Sequence, residues 1–133
     1  MAILCLDYGD RYIGVAVADI TDKIALRHST IDQSRSDALT EIKNITASVG
    51  VKKVLVGVPL SLEGGETEQT HKSLAFLEQL QKELGPAVEV ESVDETLTSV
   101  EAERRIRAEG SALEDAHAEA ARLMLADYLR TMR

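Results

Sequence analysis

Acidic side chains stand at the ends of two apolar segments of the sequence. Asp7 lies at the end of the run 2–8, AILCLDY, and the pair Asp94 and Glu95 follows the run 87–93, AVEVESV. Short apolar runs of this kind are typical of strands, and adjacent strands lie about 4.8 Å apart. Carboxylates at such strand ends can converge on one divalent cation, for which carboxylate oxygens are preferred ligands. Asp7 could instead cap the turn that follows it, and Asp94 could cap the next helix.

A third candidate lies on the last helical segment, over 111–133. Its predicted inward stripe follows helical spacing and comprises Leu113, His117, Ala120, Ala121, Met124 and Tyr128. The same spacing places Asp115, Glu119 and Arg122 on the exposed side. Since residues two apart on a helix face different ways, either His117 or Asp115 points at the strand ends, and the apolar stripe favours His117. The alternatives are a histidine at the edge of the core and an i, i+3 salt bridge between Glu119 and Arg122.

The elements that must position these residues follow from hydrophobic periodicity. It predicts strands over 2–8, 12–18, 23–31, 53–58 and 87–93, and helices over 34–49, 67–84, 98–109 and 111–133. Strands separated by helices require parallel pairing with right-handed crossovers, whereas the first three strands, joined by short turns, pair antiparallel. The predicted fold class is therefore α/β, with a mixed five-stranded sheet flanked by helices, in a single domain over 1–133.

The composition excludes several functional classes. A net charge of −8 gives no general electrostatic attraction to nucleic acid, and 3% aromatic residues argue against binding single strands on rows of stacked rings. The single cysteine, Cys5, excludes a disulfide framework. No apolar run is long enough to span a membrane, and the N-terminal sequence MAILCLDYG has no signal-peptide features, so we expect a cytoplasmic protein without a membrane partner.

Three collinear segments resemble the signature motifs of the YqgF/RuvX family: LDYGDRYIGVAVAD, VLVGVPLSLEG and DETLTSVEAE. The DYL near the C-terminus resembles the family's last helix, so the resemblance covers essentially the whole chain. Members have a ribonuclease-H-like fold, as do the RuvC Holliday-junction resolvases. They are described as Holliday-junction resolvases and as nucleases that mature the 5′ end of 16S rRNA within pre-ribosomes. The resemblance therefore implies an endonuclease acting on precursor rRNA or on branched DNA.

The resemblance also implies where the acidic site lies. It maps onto Asp7, the Asp94–Glu95 pair and one residue of the last helix. His117 stands where the family usually has an aspartate, and Arg11-Tyr12 replaces a usual Lys-Arg pair. An imidazole suits Mn²⁺ better than Mg²⁺, and a shifted alignment would recruit Asp115 instead.

We expect two divalent ions, Mn²⁺ or Mg²⁺, to activate a water and stabilise the leaving oxygen. The expected metal ligands are Asp7, which would bridge both ions, Glu95, which would hold one ion with Asp94 in support, and His117 or alternatively Asp115, which would complete the other. The candidates for holding the substrate are Gly9, Arg11, Gly57, Pro59, Ser61, Thr98, Arg104 and Arg105, with Lys72 and Arg107 as further cations. Backbone N–H groups of the loop 57–61 could contact phosphate. The arginine run could equally be a solvated helix face balanced by Glu101, Glu103 and Glu109.

Two other functional classes remain open. The strand–DYGDRYIG–strand pattern is similar to the phosphate hairpin of actin-like kinases, although 133 residues supply only one of their two lobes. A non-catalytic ribosome-assembly or nucleic-acid-binding module without the helix aspartate is the second alternative. The expected partner is nucleic acid, both for a nuclease and for a non-catalytic binding module. A homodimer is also possible from the sequence.

Overall fold

The structure is a computed structural model that describes residues 1–59, 67–95, 98–110 and 112–132; the side chains of Thr98, Ser99, Val100, Glu103 and Leu113 are not described. Five strands form one sheet: β1 (Ala2–Tyr8), β2 (Tyr12–Asp19), β3 (Leu26–Asp32), β4 (Val51–Val58) and β5 (Glu89–Asp94). Their order across the sheet is β3-β2-β1-β4-β5. β1 pairs antiparallel with β2 and parallel with β4, so the predicted mixed five-stranded sheet is confirmed.

Strand β3 begins three residues later than the periodicity predicts. The chain between β2 and β3 makes a turn in which the Lys23 N–H donates to the Asp19 carbonyl at 3.0 Å. Lys23 itself adopts a left-handed conformation with φ of 57°. This conformation is incompatible with a strand, so the apolar residues before Leu26 belong to the turn.

Four helices flank the sheet: α1 (Ala38–Val49), α2 (Glu68–Leu84), α3 (Thr98–Glu109) and α4 (Ala116–Thr131). Helix α1 begins later than predicted because the Asp37 side chain accepts from the Thr40 N–H and caps it, and Gly50 ends it with φ of 76°. The predicted segment from 111 is interrupted by a 3₁₀ turn at Leu113–Asp115, after which α4 starts.

Alternating residues of the central strands build a core on each face of the sheet. Leu4 and Leu6 of β1 pack on one face in a core that includes Ile42 of α1 and Leu80 of α2. On the opposite face, the core contains Ile3 and Cys5 of β1, Leu55 of β4, and Ala121, Leu125 and Leu129 of α4. Because β1 and β4 are covered on both faces, their sequences are nearly continuous apolar runs.

The prediction that Glu119 lies on the exposed side of the last helix is wrong. Its side chain is 1% exposed, because α3 packs against α4 and three arginines surround the carboxylate. Arg122 donates two hydrogen bonds of 2.6 Å, which confirms the i, i+3 pair, and Arg27 of β3 lies at 3.1 Å. Burial raises the pKa of Glu119, but the Arg122 hydrogen bond and the charges of Arg122, Arg27 and Arg105 outweigh it, so the pKa lies below its usual range. Arg122, also expected on the exposed side, is only 25% exposed.

Helix α4 approaches the sheet closely enough that its backbone touches β2. A Cβ atom at Gly14 would lie 1.9 Å from the carbonyl carbon of His117 and 2.0 Å from its carbonyl oxygen. Both obstructing atoms belong to the backbone, so a side-chain rotation cannot relieve the overlap. Gly14 therefore sets the height of the first turn of α4 above the sheet, and with it the position of His117.

None of the helices in the described ranges is both long enough and apolar enough to cross a membrane.

We predict that Gly14→Ala lowers the free energy of unfolding by about 1–3 kcal/mol, because the added methyl forces α4 away from β2. Urea unfolding measures the loss, and the NMR ring-proton shifts of His117 should change as well. The matched control is Gly50→Ala, whose Cβ meets nothing within 4 Å and whose cost comes only from its left-handed backbone. Unchanged His117 shifts in Gly14→Ala would show that this glycine does not position the histidine.

Candidate active site

A buried carboxylate and a histidine from distant parts of the chain meet at one edge of the sheet. Asp7, near the end of β1, is 4% exposed. His117 lies in the first turn of α4, and its Nδ1 is 2.8 Å from Asp7 Oδ2. The structure thus places His117, rather than Asp115, against Asp7. Asp115 stands at the N-terminal boundary of α4 and makes no side-chain capping hydrogen bond there.

A second buried carboxylate follows β5. Glu95 is 7% exposed, and its backbone N–H donates to the carbonyl of Val58 at 3.3 Å, which fixes it beside the end of β4. Burial, which is the largest cause, raises the pKa of Glu95 to about 10 together with hydrogen bonding to Asp7 and the charges of Asp7 and Asp94. Without a cation, Glu95 therefore holds a proton at neutral pH, next to Asp7.

The carboxylates converge from strands that are not adjacent. The sequence predicts carboxylates that converge from adjacent strands, but β4 lies between β1 and β5. Gly57 of β4 makes the convergence feasible: a Cβ there would lie 3.2 Å from Glu95 Oε2 and 2.6 Å from the Sδ atom of Met124. The absent side chain leaves the space into which Glu95 extends towards Asp7.

The surroundings of Glu95 fit a divalent cation. Its Oε2 atom is buried and has no hydrogen-bond partner among the described residues, which is costly for a carboxyl oxygen. Two carboxyl groups side by side repel each other when both are ionised, and a cation between them removes the repulsion. No group of three His, Cys, Asp or Glu side chains within the described ranges is already arranged to hold a metal ion. The two carboxyl groups and His117, which touches one of them, are the donors that the structure gathers here.

The predicted Asp94–Glu95 pair is divided between two environments. Asp94 is the last residue of β5, pairs in register with Val58, and is exposed where Glu95 is buried. Its side chain lines a shallow cleft with Met124 and Tyr128 of α4. Asp94 acts on the site through its charge, which contributes to the raised pKa of Glu95.

The β1–β2 turn carries two predicted substrate contacts. The Gly9 N–H donates to the Tyr12 carbonyl at 3.0 Å, and a Cβ at Gly9 would lie 2.8 Å from His117 Cε1. The turn is held by this bond and by the Gln33 side chain, which donates to the Gly9 carbonyl at 2.8 Å. Arg11 points outward and forms an ion pair with Asp32 at 3.2 Å.

Other predicted substrate contacts are distributed around the same edge. Pro59 follows β4, and its carbonyl accepts from the Thr70 hydroxyl at 2.6 Å. Ser61 lies outside the described residues, and Thr98 opens α3 with its side chain not described. Lys72 of α2 pairs with Asp10 at 3.1 Å.

The arginine run on α3 is partly neutralised. Arg105 pairs with Glu101 at 3.0 Å and lies 3.9 Å from Glu119. Arg104 and Arg107 are exposed. An i, i+4 pair of this kind is what a balanced, solvated helix face provides.

Asp32 is not among the residues predicted from the sequence, although it has the same sequence feature as Asp7, a carboxylate at the end of a strand. Asp32 ends β3 and accepts hydrogen bonds from Arg11 Nε and Nη2 at 3.3 and 3.2 Å, and from the Ser34 hydroxyl at 2.6 Å. The buried position of Glu119 is likewise not predicted from the sequence, because only the packing of α3 on α4 reveals it.

We predict that the metal-free protein loses stability as pH rises and that Glu95→Gln reduces this loss. Between the usual value of 4.5 and about 10, folded Glu95 keeps a proton that the unfolded chain has released, so the free energy of unfolding falls with pH. Urea unfolding in EDTA from about pH 5 to about pH 9 measures the slope. The exposed control Glu78→Gln should keep the wild-type slope, and equal slopes in all three proteins would contradict the buried, protonated Glu95.

Comparison with known proteins places the chain in a family. Residues 1–131 match the RuvX family model, described as Holliday junction resolvase. A Chloroflexus aggregans protein named "Putative pre-16S rRNA nuclease" is 37% identical over 136 aligned residues, covering 98% of this chain and 94% of its own length. A protein of the same name from Dictyoglomus thermophilum is 32% identical, covering 78% of this chain and 74% of its own.

Solved structures agree on the fold. Thermus thermophilus RuvC bound to a Holliday junction substrate superposes with a TM-score of 0.57 at 15% identity, over 99% of this chain and 96% of that one. Thermus thermophilus RuvC in a second structure gives 0.58, over 98% and 96%. This likeness confirms the ribonuclease-H-like fold that the signature motifs imply. The match over residues 1–131 and the relative that is 37% identical over 98% of this chain establish that the chain belongs to the RuvX family.

Proposed function

We propose that this protein is a divalent-metal-dependent endonuclease that hydrolyses phosphodiester bonds. The observation that carries the proposal is the pair of buried carboxyl groups, Asp7 and Glu95, with the Glu95 Oε2 atom unsatisfied. Such an arrangement destabilises the fold unless a cation occupies it. Buried acids with strongly shifted pKa values are typical of functional sites. The nuclease names of the relatives support the same reaction class.

Asp7 and Glu95 would hold the divalent cations of the proposed two-ion site. Bound there, the metal would supply a hydroxide nucleophile at neutral pH and Lewis-acid stabilisation of the leaving oxygen. Glu95 releases its proton when a cation takes the proton's place, so binding should be tighter at higher pH. Asp94, exposed beside Glu95, adds negative charge that favours the cation.

His117 has two roles open to it in this proposal. Its Nδ1 contacts Asp7 Oδ2 at 2.8 Å, so it orients the carboxylate in the way that a histidine–carboxylate pair orients a metal site. Any ligation by the imidazole would go through Nε2, because Nδ1 is the nitrogen that contacts Asp7. Asp115 remains the alternative last ligand, although the structure places His117 nearer to Asp7.

The proposed substrate is precursor 16S rRNA, from the names of the relatives, with branched DNA as the alternative from the RuvC complex. Both present the same phosphodiester linkage. Since the net charge is −8, the substrate must be bound by local cations and by the metal. Arg11 and Lys72 lie near the edge of the site, and Arg104 and Arg105 of α3 would add further contacts to the substrate. Gly9, Gly57 and Pro59 would allow the phosphate backbone of the substrate to approach closely.

We predict that Asp7→Asn abolishes cleavage and leaves the fold intact. Asparagine keeps the shape and a hydrogen bond to His117 but lacks the charge that a metal ligand needs. Cleavage of a precursor 16S rRNA fragment and of a four-way DNA junction, each with Mg²⁺ and with Mn²⁺, measures the loss. It also decides between the two substrates.

The matched control for Asp7→Asn is Asp127→Asn, and Asp115→Asn tests the alternative ligand. Asp127 is exposed and pairs with Arg130, so its variant should cut at the wild-type rate. A collapse of activity in Asp115→Asn with a harmless His117→Ala would transfer the ligand role to Asp115. Wild-type cleavage by Asp7→Asn would refute the site.

We further predict that wild-type cleavage is faster with Mn²⁺ than with Mg²⁺, and that His117→Asp narrows the difference. A nitrogen ligand favours transition-metal ions, whereas a set of oxygen ligands suits Mg²⁺. The ratio of initial rates with the two ions measures the effect. An unchanged ratio in His117→Asp would limit His117 to orienting Asp7.

A further inference from the structure

A polar cleft lies beside the Asp7–His117 pair. Of the residues that line it, only Arg11 has a role in the proposed function. The cleft has a volume of about 270 Å³ and is lined by Arg11, Tyr12, Thr30, Asp32, Arg35 and Glu114. Tyr12 connects it to the site, because its ring centroid lies 6.3 Å from that of His117, which touches Asp7. A group in this cleft would therefore lie close to a phosphate placed at Asp7.

The cations of the cleft are held in place before any ligand arrives. Asp32 accepts from Arg11 through Nε and Nη2, and Arg35 Nε lies 3.7 Å from its Oδ2. Hydrogen bonds from Arg11 and Ser34 lower the pKa of Asp32 to about 2, so this anchor stays ionised at neutral pH. Both arginines remain largely exposed, at 59% and 82% of their side chains. A guanidinium has five N–H donors, so Arg11 can contact a ligand while it stays anchored.

Tyr12 supplies the apolar surface of the cleft. Its ring is half-buried, and the Arg11 guanidinium lies over one face of it, 5.0 Å from the ring centroid, so a nucleobase stacked here would meet both the ring and the arginine. An aromatic ring at the wall of a cleft with charged groups around it is a surface on which a nucleobase can stack. Arg11 can then donate to the edge of the base or to its phosphate, and Glu114 can accept from an exocyclic amino group.

We propose that this cleft receives one unpaired nucleobase next to the scissile phosphate, stacked on Tyr12. The inference rests on the proposed nuclease function and narrows its substrate class to strands with an unpaired nucleotide at the cleavage site. At about 270 Å³ the cleft lies near the lower limit of ligand pockets, a size that suits a single base. A single ring agrees with the low aromatic content, because it holds one base and forms no extended stacking platform.

The test measures stacking directly, without cleavage. The probe is a short oligouridylate with one central 2-aminopurine, bound to the protein in Ca²⁺, and the same strand annealed to its complement serves as the duplex. Stacking on an aromatic ring quenches 2-aminopurine fluorescence. Wild type should quench the single strand and bind it more tightly than the duplex, as measured by anisotropy.

The informative variants are Tyr12→Ala and Tyr12→Phe. Tyr12→Ala should lose the quenching and weaken single-strand binding by about 5- to 100-fold, with little change for the duplex, and Tyr12→Phe should restore both. Thermal unfolding establishes that each variant is folded. Equal losses for single strand and duplex, or retained quenching in Tyr12→Ala, would overturn the proposal.

Charge controls separate the cleft from general electrostatics. Arg35→Ala should weaken single-strand binding, whereas Arg130→Ala, which removes an exposed cation paired with Asp127, should not. Equal effects of the two variants would count against the cleft. Asp7→Asn should keep the quenching even though it cannot cut, so a failure of the nuclease proposal and a failure of the cleft proposal give different results.

Discussion

The burial of two carboxyl groups side by side is the constraint on which the rest of this site depends. Asp7 and Glu95 come from strands separated by β4, and Gly57 of β4 leaves room for Glu95, because a Cβ at Gly57 would lie 3.2 Å from Glu95 Oε2. Helix α4 covers both, and its height above the sheet is set by the contact of its backbone with Gly14. The fold thus uses two glycines to place two acids and one histidine in a small space. The energetic cost is the desolvation that raises the pKa of Glu95 and leaves its Oε2 atom unsatisfied. A bound cation removes this cost, so ligand binding and stability must be coupled.

Two buried glutamates in this protein show how the same residue type serves different ends. Glu119 is as deeply buried as Glu95, but Arg122, Arg27 and Arg105 surround it, and its pKa is lowered. Its charge is therefore compensated inside the protein, and its ion pairs fasten α4 to β3 and α3. Glu95 faces a second carboxyl group instead, and its pKa is raised. The direction of the pKa shift thus separates a glutamate whose charge is compensated within the fold from one whose charge is not.

The sequence predicts the sheet and most of the site because both depend on local pattern. Apolar runs identified the five strands, and the acids at their ends identified Asp7 and Glu95. It also favoured His117 over Asp115, since residues two apart on a helix diverge. The sequence could not predict that β4 lies between the two acidic strands, because strand order is a property of the assembled sheet. Nor could it place Glu119, since helical periodicity has no information about α3 packing against the polar side of α4. The late start of β3 depended on one left-handed residue, Lys23, which hydrophobicity does not encode.

An acidic protein that binds a polyanion must separate its attractive and repulsive regions. The net charge of −8 disfavours approach of nucleic acid in general, so binding has to be decided by short-range contacts. Arg11 and Arg35 lie anchored on Asp32 at the same edge of the sheet as Asp7, and a divalent ion at the carboxylates would neutralise the local negative charge there. The substrate would then meet the two arginines beside a neutralised site and negative charge elsewhere. Because negative charge at the buried pair would repel phosphate until a cation binds, metal occupancy would control substrate affinity as well as chemistry, and this coupling would follow from the same buried pair.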